Sequence, residues 1–160
     1  MRNLSEARRQ KLNEPEGDDA RVTESDDAFD YPAPPDAIPE WALDEASNWR
    51  RLSLFDMEVK AEERSGLEVE IRQTPLPPGV WGFHVARGGR VRLCVNSGLP
   101  HIWRRFATFH ELYHLIAHSF GENFWGRTFQ PLSKFESEAD LFAWAAIWPE
   151  WMEGVCGAGE

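Results

Sequence analysis

The stretch FHELYHLIAH, Phe109 to His118, places three of the chain's five histidines four residues apart. Four residues turn an α-helix through 400°, so the imidazoles at 110 and 114 lie about 40° apart around the axis and one turn apart along it. Two ring nitrogens in that relation converge on a single ion. Glu111 stands about 60° further round, so it flanks such an ion, close enough to take a proton from a water in an open coordination position. His110-Glu111-Leu112-Tyr113-His114 therefore matches HExxH, with Zn2+ as the expected cofactor, His110 and His114 as ligands and Glu111 as the general base.

The residues around the motif, from about His101 to Ser119, are apolar nearly all round, the pattern of a buried helix. Imidazoles and a carboxylate on such a helix need partners or an ion, because burying them unsatisfied costs on the order of a few kcal/mol each. His118 continues the histidine stripe, but a fourth protein ligand would close the site to a substrate, so it is expected as a polar residue at the helix end. Tyr113 reads as packing; a donor for an oxyanion is not assigned, with His84 and His101 as loose candidates that more often are ordinary strand or surface histidines.

A catalytic zinc site takes three protein ligands, so one more is required. The last helix is expected to open at Ser133, run through FESEADLFAWAAIW and stop at Pro149. Glu136 and Asp140 are four apart on one face of it, while Glu138 points about 200° away from Glu136. One carboxylate of the pair can bind the ion while the other accepts the outward N–H of a ligating histidine. Glu136 is the expected third ligand and Asp140 its companion. Ser133-Lys134-Phe135-Glu136 also fits a capping box that turns Glu136 back to the helix start, and Glu138 is then the replacement ligand.

Upstream, LEVEIR at 67–72 alternates as a half-buried strand should. WGFHVA (81–86) and VRLCVN (91–96) are two more alternating runs, joined by RGGR, whose paired glycines suit a hairpin turn. Three short antiparallel strands are expected; an extended substrate would pair with an edge strand, for which VRLCV is the candidate since it leads into the metal-binding helix, while the residues do not specify which strand is the edge. Before them, apolar residues from Trp41 to Val59 recur near helical spacing as one helix or a broken pair, stopped at Ser65-Gly66. The Gly- and aromatic-rich stretch from Phe120 to Leu132 has mixed polarity and is assigned no conformation. The fold class is α+β.

Residues 1–39 form an expected disordered tail: positions 14 to 30 hold eight acids and one base, and four prolines follow between Pro32 and Pro39. Residues 40–160 form the folded domain. The formal charge of −10 argues against a phosphate-tracking surface, so no direct nucleic-acid partner is expected. There is no long apolar run and no secretory leader pattern, and the two cysteines, Cys94 and Cys156, lie 62 positions apart. A cytoplasmic chain with no membrane partner, and Cys94 as a buried free thiol, is the expectation. Nothing in the residues specifies an oligomeric state.

The run VRLCVN, then RRFATFHELYHLIAH, then FESEADLFAWAAIWP resembles the ImmA/IrrE-type metallopeptidases, thermolysin-like zincins of the gluzincin type with HExxH followed by ExxxD. The similarity covers roughly Trp49 to Pro149. It implies a small zincin-like domain: an N-terminal helix, a three-stranded antiparallel sheet, the HExxH helix and a C-terminal ExxxD helix. It further implies zinc held by His110, His114 and Glu136, Glu111 as base, and Asp140 orienting a ligating histidine. Members of that family are cytosolic endopeptidases, often encoded on mobile elements, that typically act on helix-turn-helix repressors. The chain departs from the family's usual residues at Tyr113, Asp140 and Trp148.

The chain ends eleven residues after Pro149, which favours an alternative expectation: a zinc-containing regulatory module that engages a regulator without cleaving it. A third expectation takes the acidic 14–30 segment as a nucleic-acid mimic in an inhibitor-like or phage interaction protein.

Overall fold

The computed structural model describes residues 31–117, 124–129 and 138–157, and the compact unit that carries the HExxH helix begins at Pro32. The expected tail up to residue 30, and His118, Ser133 and Glu136, lie outside the described residues. Within them the architecture is mixed α+β, with four helices and one four-stranded sheet. In chain order these are α1 (Glu40–Ala46), α2 (Leu54–Ser65), β1 (Glu68–Thr74), β2 (Val80–Arg87), β3 (Arg90–Asn96), α3 (His101–Ala117), β4 (Phe124–Phe129) and α4 (Glu138–Gly157).

The sheet runs β1-β3-β2-β4 and is mixed, which corrects the expectation of three antiparallel strands. Gly88 and Gly89, both at positive φ (59° and 79°), make the β2–β3 hairpin as expected. The difference lies in the link before it. Pro75, Pro77 and Pro78 lack the N–H that a ladder needs. Their segment passes across the end of β3, so β1 pairs with β3 in parallel, from Glu68↔Arg90 to Thr74↔Asn96. Asn96 pins this crossing: its Nδ2 donates to the Val80 carbonyl at 3.0 Å, and the next amide, of Ser97, donates to the Thr74 carbonyl at 2.9 Å. The fourth strand, β4, pairs antiparallel with β2 and comes from the stretch that sequence left unassigned.

VRLCV is consequently an interior strand, paired on both sides, which removes it as the candidate for pairing with an extended substrate. The edges are β1 and β4. Along β1, outward amides are covered by α2: Val69 N–H donates to Glu62 at 3.1 Å and Ile71 N–H to Glu58 at 2.9 Å. Carboxylates laid along a strand in this way remove it as a pairing template.

The apolar run from Trp41 to Val59 forms the broken pair, α1 and α2, and only part of it is core. Trp49 and Met57 are fully buried, whereas Phe55 is 70% exposed and Trp41, Leu43 and Val59 also face solvent. Helix α3 lies on the sheet face made by β2 and β3 and is buried almost all round, as its composition predicts. Helix α4 packs antiparallel along α3 through Phe109–Phe142 and Phe106–Trp144 ring contacts. No helix among the described residues is long and apolar enough to cross a membrane.

Pro149 does not end α4, which continues to Gly157. A proline inside a helix withdraws the N–H that would bond the carbonyl four residues back. Here that carbonyl belongs to Ala145, fully buried, and Arg50 reaches in from the α1–α2 link to supply the missing donor, Nε to O at 2.9 Å. One residue later, Glu150 takes two bonds from Arg105, at 3.2 and 2.9 Å, and so ties the continued helix to α3. Replacing Arg50 with Met leaves the Ala145 carbonyl unsatisfied and is expected to cost about 1–3 kcal/mol in a urea melt. In a Pro149→Ala background, where the helical N–H is restored, the same substitution should cost measurably less. Equal costs in both backgrounds would show that Arg50 does not compensate for the proline.

Candidate functional site

Helix α3 presents His110, Glu111 and His114 where it crosses β2, and α4 brings Asp140 alongside. The Nε2 atoms of His110 and His114 are 3.2 Å apart. On the other side of its ring, His110 Nδ1 lies 2.8 Å from Asp140 Oδ1. An ionised carboxylate only accepts, so Nδ1 carries the proton and, in a neutral imidazole, Nε2 keeps its lone pair. The facing nitrogens then suit either one hydrogen bond donated by His114 or two lone pairs sharing a cation. Two ligands at about 2.0–2.1 Å from a tetrahedral ion stand roughly 3.3 Å apart, close to the observed spacing of these two nitrogens.

Glu111 is completely buried, although His110 beside it keeps 8% of its surface. Its carboxylate points into the sheet. His84 Nδ1 lies 2.6 Å from Oε2, and the Thr128 hydroxyl donates to Oε1. The backbone of β2 makes room for it: a Cβ at Gly82 would lie 3.1 and 3.2 Å from Glu111 Cγ and Oε1, and 2.8 Å from the Cys94 carbonyl. A β-bulge at Trp81, between the pairs Val80↔Phe129 and Gly82↔Thr128, lets Trp81 and Gly82 both face α3. Trp81 packs there on Trp103 and Phe106, next to the glycine that receives Glu111.

The His84 ring also stacks on that of His114, centroids 4.6 Å apart and planes 24° from parallel. His84 is thus part of the site, although its place in an alternating strand suggested an ordinary strand histidine. Thr128 comes from the unassigned stretch, where nothing signalled it. Gly82 did carry a signal, since a lone glycine inside a strand pattern marks a bulge or a close approach of another chain segment.

Glu138, the alternative third ligand, is engaged elsewhere: its Oε2 accepts from the Tyr113 hydroxyl at 2.6 Å. Burial, and then this hydrogen bond, push the Tyr113 phenol up to about 12, so it remains a donor at neutral pH. The Tyr113 ring packs on Phe142 and Trp41. His101 is exposed in the first turn of α3, and Cys94 is a buried free thiol whose pKa burial pushes up. Among the described residues no group of three or more His, Cys, Asp or Glu side chains is gathered as a metal site, and Glu136 is outside them. A cavity of about 640 Å³ lies on the opposite face of the sheet, floored by Phe83 and Val85, and has none of His110, Glu111, His114 or Asp140 in its walls.

No family model, no curated protein and no solved structure matches this chain.

Proposed function

We propose that the chain is a zinc-dependent endopeptidase, a small zincin-like hydrolase of the ImmA/IrrE type. Its substrate in this reading is a protein, a helix-turn-helix repressor cleaved in trans in the cytoplasm. The observation that carries the reading is the 3.2 Å separation of two imidazole Nε2 atoms on one helix, with the His110 tautomer set by Asp140. His110, His114 and Glu136 would hold the ion, with Asp140 orienting His110 and raising its basicity. When bound, zinc supplies Lewis-acid polarisation of a carbonyl and acidifies water.

The chain's own residues do the rest. Glu111 accepts a proton from the attacking water and returns it to the leaving amine. Each of its oxygens has a second lone pair beyond the one that His84 or Thr128 occupies, so the buried carboxylate would accept a proton from a water admitted at the ion without giving up its holding contacts. The net charge of −10 directs the choice of partner away from nucleic acid and toward a protein.

Elemental analysis of the purified protein tests the reading. About one zinc per chain is expected, lost in His110→Ala and His114→Ala, with affinity lowered about 10–100-fold in Asp140→Ala. A well-folded wild-type protein that takes up no zinc on reconstitution would end it.

A further inference from the structure

We propose that His84 and Thr128 are positioning residues for Glu111, together forming with Gly82 a cradle on the sheet that holds the buried carboxylate in one orientation. The inference rests on the zinc hydrolase reading and deepens it. Three features converge on one carboxylate. An imidazole N–H reaches Oε2, a hydroxyl reaches Oε1, and a missing Cβ opens the space between them. All three come from one sheet face: Gly82 is the cross-strand partner of Thr128, and His84 lies two residues further along β2.

Stability alone does not call for this arrangement. A buried polar cluster is no more stabilising than well-packed apolar side chains of the same volume. What it supplies is a defined geometry. A glutamate has three side-chain torsions, and anchoring both oxygens selects one arrangement before a substrate arrives. The stack of His84 on His114 adds a link between the two halves of the site. Through that stack, an ion held by His114 would bear on the ring that holds Glu111, so metal occupancy would be coupled to the orientation of the base.

Proton NMR reads the cradle directly and does not depend on turnover. The His84 N–H held by a buried carboxylate should give a far-downfield, exchange-protected resonance in metal-free protein, and zinc loading should move it. His84→Gln should abolish it and Glu111→Gln should displace it. Thr128→Val, nearly isosteric and without a donor, should shift it, with Thr128→Ser restoring the wild-type position. With a cleavable repressor in hand, Thr128→Val should lower kcat roughly tenfold or more at nearly unchanged KM, again rescued by Thr128→Ser. The d–d absorption of the cobalt(II)-substituted protein should change in Thr128→Val, a readout that a packing role would leave alone.

The cradle is refuted if the resonance survives Glu111→Gln unmoved, or if Thr128→Val leaves kcat and the cobalt spectrum at wild-type values. In the second case wild-type cleavage would still stand, so the hydrolase reading would survive. Conversely, a protein that binds no zinc but shows the resonance and its shift in Thr128→Val retains the holding contacts, while the hydrolase reading and the positioning role built on it both fall.

Discussion

Replacing Glu111 with Gln is expected to lower peptide-bond hydrolysis by about 10²–10⁴-fold, the usual contribution of a placed general base, while zinc content stays near one per chain. The fold should tolerate the change for a reason visible in the contacts. The Gln carbonyl oxygen can take the His84 N–H, and its NH2 can donate to the Thr128 hydroxyl, which rotates to accept. The hydrogen bonds are kept and only the basic lone pairs are lost. Glu111→Leu is a different experiment: it leaves two buried donors unsatisfied, at roughly 1–3 kcal/mol each, so lost activity there would be confounded with lost fold.

The measurement is incubation with a panel of helix-turn-helix repressors and the intact mass of each, with thermal melts alongside. Zinc-loaded wild-type and Gln variants that both cleave equally would remove Glu111 from the mechanism. A zinc-loaded wild type that cleaves nothing, yet binds a repressor, would instead identify a regulatory binding module.

Gly82→Ala should be a strongly damaging single-methyl change. The new Cβ would meet the Cys94 carbonyl at 2.8 Å, and that oxygen belongs to the interior strand β3. It would also press on Glu111 at 3.1–3.2 Å, a side chain that is itself fully buried. Neither neighbour is the free end of a flexible surface chain, so backbone or helix must move. Overpacking of this kind costs about 1–3 kcal/mol, and each kcal/mol lowers Tm by about 2–4 °C in a chain of this size. Displacing the carboxylate should also lower any hydrolysis at least roughly tenfold. Wild-type melting and turnover in Gly82→Ala would mean that Glu111 does not lie across β2.

The contrast between His110 and His84 shows where local pattern carries information. His110 and His114 are related by helix geometry alone, and four residues on one helix place them on one face in any surroundings. His84 is different. Read by alternation, Trp81, Phe83 and Val85 form the apolar face of β2 and His84 falls on the other. The bulge at Trp81 and the packing of α3 reverse that reading: Gly82, His84 and Ala86 are buried, and Val85 is 40% exposed. Which face of a strand is inside depends on what packs against it, and α3 follows β2 by more than a dozen residues.

The same division explains the corrections in the fold. Turn glycines at 88 and 89 specify a hairpin by their own conformational freedom, so β2 and β3 were legible. The parallel pairing of β1 with β3 was not, because a proline-rich link limits local pairing without naming the strand reached next. Pro149 likewise predicts a stop, and the Ala145 carbonyl that it leaves without a helical N–H is bonded by Arg50, 95 residues from Ala145.

From its residues alone, this chain determined its α+β class, the helix that carries His110, Glu111 and His114, and the hairpin ahead of it, since each depends on periodicity or turn chemistry within a few residues. Tertiary structure alone decided the sheet order, the seating of the Glu111 carboxylate against β2, and the presence of His84 and Thr128 at its oxygens. Those contacts join side chains 17 and 27 positions from Glu111, and such pairings come from packing, which no local pattern encodes.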